Sequence, residues 1–167
     1  MSHPSLGLPP PDTTAGDPEA AARLREQRRS LGRLALERAL QLDPSLATRY
    51  DEYALRRFLR DYEQHIRQMA RAIETADDYY VTQYGEWLVP IFRRREVPMR
   101  DFGTMVRALG DVCASVLTPD DAKLVGDLVL RWLARLKFHA RLPGDHAGNP
   151  IVRFFWKGAG IADDSIV

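Results

Sequence analysis

The sequence predicts an all-α fold: a four- to five-helix, mostly antiparallel bundle with a flexible N-terminal tail and an extended C-terminal tail. Three observations predict it. Apolar residues recur at steps of three and four through the middle of the chain, the period of an amphipathic helix. The apolar runs open on cap-and-proline signals, at Asp17–Pro18, Asp43–Pro44 and Thr118–Pro119. No pair of alternating segments reads as strands. With 167 residues, 45% of them hydrophobic, the chain suits one domain with a real core.

Residues 1–16 are rich in Pro, Gly, Ser and Thr, a composition that buries too little apolar surface to offset its ordering entropy, so they read as a flexible tail. The bundle proper is expected over 17–142. Its first helix runs from Pro18 to about Leu42, with Leu24, Leu31, Leu34 and Leu40 on a thin stripe among many charges. So thin a stripe suits a helix on the outside of the bundle, or one that joins two subunits. A short helical turn after Pro44 leads into a long helix over about 51–75, where Leu55, Phe58, Tyr62, Ile66, Met69 and Ile73 share one face.

A third long helix begins near Asp77 or Asp78 and carries Tyr80, Tyr84, Trp87, Leu88, Ile91 and Phe92. Pro90 inside it removes a backbone donor and predicts a kink or break. Pro98 opens the fourth, whose stripe is Phe102, Met105, Val106, Leu109, Val112, Cys113 and Val116. Thr118-Pro119-Asp120-Asp121 caps the fifth, over about 119–141, with Leu124, Val125, Leu128, Trp132, Leu133 and Leu136 inward. Residues 143–167 have neither period and form an irregular aromatic tail.

The formal net charge is +1, so no global field steers the chain to nucleic acid or membrane, and neither is expected as a partner. Acids interleave the six arginines of the first helix, unlike the concentrated basic face of a DNA reader. One cysteine, Cys113, excludes an internal disulfide, and with no signal-like N-terminus or apolar run of about 18 residues a cytoplasmic protein is expected.

No phosphate loop, dinucleotide fingerprint, nucleophile elbow or zinc-protease helix occurs, so no enzyme is expected and no catalytic, cofactor or metal residue is assigned. Cys113 falls in an apolar stripe and reads as core. Asp77–Asp78 and Asp120–Asp121 sit where helices need caps. His65 and His139 lie on helices, where a surface or half-buried place is expected; Glu63 and His65 are two apart, not the three of a di-iron helix.

Partner contact is the chemistry the sequence favours. Residues 72–92 hold acids and no base, with Tyr79, Tyr80, Tyr84, Trp87 and Phe92 among them, and Arg93-Arg94-Arg95 follows. Aromatics beside arginine suit protein recognition. Tyr79 and Tyr80 cannot both point inward, so one is accessible. Phe154, Phe155 and Trp156 in the tail, each worth on the order of 2 kcal/mol when buried, must dock in cis or in trans. The expected contact residues are Tyr79, Arg93, Arg94, Arg95, Phe154, Phe155 and Trp156.

The middle of the chain, about 50–141, reads FLRDYEQHIRQMARAIE, then YYVTQYGEWLVPIFRRREVPMRDFGTMVRALGDVCASVL, then TPDDAKLVGDLVLRWLARL. This order resembles the helical regulatory bundles of bacterial general-stress, partner-switching regulators. It is also similar to the helical bundle that precedes cobalamin-binding domains. The first resemblance implies a bacterial bundle that dimerises or docks on a partner; the second implies a bundle capping a cofactor. No functional residue of either type carries over by position. The expectation is a non-enzymatic interaction module, regulatory or a subunit of a larger assembly, whose partner is another protein or its own second copy in a homodimer. The alternative is a small-ligand or tetrapyrrole sensor with a pocket lined by Tyr62, Tyr84, Trp87 and Trp132.

Overall fold

A computed structural model describes residue 10 and residues 12–141. They form six helices: α1 (Pro18–Leu42), α2 (Leu46–Arg49), α3 (Glu52–Thr75), α4 (Tyr79–Arg94), α5 (Met99–Val116) and α6 (Pro119–His139). The starts follow the cap chemistry. Asp17 accepts the Ala20 amide at 2.8 Å, and Asp51 accepts that of Ala54 at 2.8 Å. Thr118 accepts that of Asp121 at 3.3 Å, so orphan donors of the first turns are satisfied. The break expected at Pro90 does not occur, for α4 continues through it to Arg94. Leu88, Val89 and Phe92 around it are buried, and that burial outweighs the roughly 3 kcal/mol a helical proline costs.

The five long helices close a ring in the order α1, α3, α4, α6, α5 and back to α1. Paired residues give their directions. Asp17 N–H donates to the Ile73 carbonyl at 2.9 Å and Gly16 N–H to that of Glu74 at 3.1 Å, so the start of α1 meets the end of α3. Asp61–Arg95, His65–Tyr84 and Arg71–Tyr80 run α3 against α4. Arg38–Asp111 sets α1 against α5, and α5 returns as α6 through the turn at Leu117–Thr118. Among neighbours in the ring, α4 and α6 are the pair that runs parallel, tied by Asp78–Arg131 and Glu86–His139. The short α2 is fastened by Asp101 of α5, a fully buried carboxylate that accepts the Tyr50 hydroxyl at 2.8 Å and pairs with Arg49 at 3.0 Å.

The place of α1 corrects the expectation of a thin apolar stripe on a peripheral helix. It packs between α3 and α5, with Ala20, Ala21, Leu24, Leu31, Gly32, Ala35 and Ala39 buried. Its stripe is thin in leucine and complete in alanine and glycine. A Cβ on Gly32 would stand 3.3 Å from Tyr62 Cβ, so small side chains let the backbones approach. The same device recurs where a Cβ on Gly110 would come within 2.9 Å of Val129 Cγ1.

If α1 is core, Leu31→Ala removes a side chain with no exposed surface and costs about 2–5 kcal/mol in urea denaturation. An outer helix would lose less than about 0.5 kcal/mol.

Candidate functional site

The centre of the ring is an aromatic cluster with a histidine in it. His65 of α3 is 2% exposed, which corrects the expectation of a surface or half-buried ring. Its position explains why: 65 lies between 62 and 69, on the same face as Tyr62, Ile66 and Met69. Its Nδ1 lies 3.0 Å from the Tyr84 hydroxyl. Trp132 meets it edge-on at 5.0 Å, with Phe102 at 5.8 Å and Phe92 at 6.4 Å. Burial holds the His65 pKa down to about 3, with the Arg95 charge acting the same way. Burial alone pushes the Tyr62 hydroxyl above its ordinary value, and it is the main cause for Tyr84. At neutral pH the cluster is therefore uncharged.

Three of the four residues expected to line a tetrapyrrole pocket belong to this filled interior. Tyr62, Tyr84 and Trp132 are at most 3% exposed. The half-buried Trp87 packs on Tyr84 at 5.9 Å. Gly85 and Trp132 sit so close that a Cβ would fall 2.7 Å from Trp132 Nε1. Cys113 is core as expected, its thiol pushed up to about 12 by burial, far from a reactive thiolate at neutral pH. Among the described residues, no three His, Cys, Asp or Glu side chains gather as a metal site, and no helix is long and apolar enough to cross a membrane.

The expected contact residues separate in space. Tyr80 is buried beneath the Arg71 guanidinium, 4.6 Å from its ring centre, while Tyr79 is half-buried with its edge on Tyr80. Arg93 and Arg95 are engaged inside the molecule. Arg93 donates to the His139 carbonyl at 3.1 Å, joining the C-terminal ends of α4 and α6. Arg95 donates to Asp61 at 2.6 Å and covers Phe92 at 5.4 Å. Burial holds Asp61 above the ordinary carboxylate range even with that guanidinium beside it. Arg94 alone of the three is exposed. Phe154, Phe155 and Trp156 lie outside the described residues.

A surface that sequence reasoning missed lies on α6. Leu130 is 68% exposed and Phe138 60%, with exposed Ala134 midway between them. Steps of four put all three on one row. Lys137 and Arg141, both exposed, flank it, and the Arg93–His139 bond brings Arg94 to the same end of the bundle. The signal was in the α6 pattern: the inward set from Leu124 to Leu136 excludes Leu130 and Phe138, two large apolar residues with no interior to fill. No protein-family model matches the chain, and a comparison with curated proteins finds none similar to it.

The neutral His65 makes stability depend on pH in a definite direction. The unfolded chain binds a proton at this site below about pH 6.5 and the folded chain does not, so stability falls as pH drops from there toward 3. Between pH 6.5 and about 5, above most carboxylate titrations, the loss is roughly 2 kcal/mol. Urea midpoints of the parent should fall across that interval, and those of His65→Gln should stay level. Parallel slopes would show that His65 does not carry the effect.

Proposed function

We propose that this chain is a non-enzymatic protein-interaction module, regulatory or a subunit of a larger assembly, and that the outer row of α6 is its principal contact face. The observation that carries this reading is the exposed pair Leu130 and Phe138 on one helical row. Two large apolar side chains held in water on a rigid helix each gain on the order of 2 kcal/mol when covered. Lys137 and Arg141 border them, as a polar rim borders the apolar centre of an interface. The partner surface this favours is apolar with flanking carboxylates. The aromatic and titratable groups of the interior support the same reading, because packing and hydrogen bonds inside the bundle already occupy them. A contact-making helical bundle is also what the resemblance to partner-switching regulators implies.

The double variant Leu130→Asp/Phe138→Asp should keep the parent's thermal melt, both side chains being more than half exposed. It should lose at least about tenfold in affinity for the partner captured from the source cells, or in self-association measured by sedimentation. Tyr53→Asp, at a similarly exposed site on α3 (63%), should keep both. Equal retention by the two variants removes α6 as the contact face.

A further inference from the structure

Between α1 and α3 lies a groove of about 450 Å³ lined by Arg25, Arg28, Gln64, Arg67, Gln68 and Arg71. The α3 members, at 64, 67, 68 and 71, share one helical face. Four guanidinium groups thus converge with two amides. Among the described residues, two carboxylates answer them. Glu74 takes both Nη groups of Arg25, one of them at 2.9 Å. Glu63 stops 3.8 Å from Arg28 Nε, beyond hydrogen-bond distance. Arg67 and Arg71 have no carboxylate within ion-pair range among the described residues; Arg67 donates to Gln64 Oε1 at 3.2 Å, and Arg71 rests on the Tyr80 ring.

Elsewhere in the bundle, several arginines between helices each meet a carboxylate: Arg23 with Asp121, Arg38 with Asp111, Arg95 with Asp61, Arg131 with Asp78. This groove gathers four arginines against two carboxylates, and Arg25 and Arg28 are held in place. Glu74 fixes Arg25. Arg28 Nη1 donates to the Arg25 carbonyl at 2.9 Å, while its Nε is buried without an acceptor. Like charges held this close repel one another, and an anion that enters relieves the repulsion without ordering the side chains anew.

We propose that this groove binds a short oligophosphate, free or carried on a nucleotide. Guanidinium forks match phosphate oxygens in bidentate pairs, and two rows of them offer more donors than a single phosphate can accept. The volume is that of a small-molecule site. Glu63 and Glu74 at its margins suit a short anion and disfavour a long phosphate backbone running across them. The groove shares no residue with the α6 row, so the two proposals fail separately.

Isothermal titration calorimetry of the full chain with inorganic tripolyphosphate, at near-physiological ionic strength, tests it. Saturable single-site binding is expected. Arg28→Gln and Arg67→Gln should each weaken it about tenfold, while Arg107→Gln, at an exposed site on α5, leaves it unchanged. Arg67 bonds only within its own helix, so its variant keeps the fold. A nucleoside triphosphate that binds as tightly as tripolyphosphate shows that the phosphate chain is what is read; tighter binding shows a nucleotide-borne source. The absence of saturable binding overturns the proposal. So does equal weakening by Arg107→Gln, or a poly-glutamate peptide that binds more tightly than tripolyphosphate.

Discussion

The bundle depends on one buried phenol. Tyr62 is 1% exposed, and its hydroxyl donates to the Met105 carbonyl of α5 at 3.0 Å, with the Ala35 carbonyl of α1 at 3.4 Å. Both acceptors already serve their own helices and have a lone pair to spare. A phenol buried without an acceptor costs about 1–3 kcal/mol, so α1, α3 and α5 must meet at one height for this group to be satisfied. Gly32 beside the Tyr62 Cβ sets how closely α1 approaches. Apolar contacts alone would allow the helices to slide by a turn; the hydroxyl does not.

The rest of the ring follows from an odd number. Five helices cannot alternate direction around a closed circle, so one adjacent pair must run parallel. The pair here is α4 and α6, and polar contacts stitch it: Asp78–Arg131, Glu86–His139, the longer Glu86–Arg135 pair at 3.8 Å, and the Arg93 bond to the His139 carbonyl. Parallel neighbours gain nothing from their dipoles and lack a short connecting turn. Specific side-chain pairs and the Trp132 ring against Gly85 do that joining.

Much of this was legible from residue spacing. The helix starts at Pro18, Glu52 and Pro119 follow directly from caps and prolines, because those signals are local. The stripes of α3 and α5 gave their buried faces for the same reason, except Val116, which stands 46% exposed at the last turn of α5 where the inward face runs out. What failed was inference from residue size and polarity. Alanine and glycine on α1 look like weak hydrophobicity to a count of leucines, yet they are what lets that helix sit between two others. His65 reads as polar by type and is core by position; spacing from Tyr62 to Met69 outranks the label. Arg93 and Arg95 look like a free basic cluster because their partners, the His139 carbonyl and Asp61, are 46 and 34 residues away. The α6 row is readable as apolar residues left over from the inward set, a weaker signal than the dense aromatics of α4. The arginine groove needed the α1–α3 contact itself, since its arginines come from both helices.

The arginines sort the molecule into what folds it and what it offers. Those bridging two helices meet a carboxylate or a carbonyl and act as fasteners, shielded enough that Arg95–Asp61 lies partly under the surface. Of those with no carboxylate in ion-pair range among the described residues, Arg67 and Arg71 line the α1–α3 groove and Arg94 and Arg141 stand at the end of the bundle that holds Phe138, while Arg29, Arg57, Arg60 and Arg107 are spread over α1, α3 and α5. A chain of net charge +1 cannot reach that division through excess of base; it arises because the acids are committed to interhelical pairs and helix caps. Local positive potential at both sites is therefore a by-product of how the bundle is held together, and a substitution that frees one acid, such as Arg95→Ala releasing Asp61, acts on stability without altering either surface.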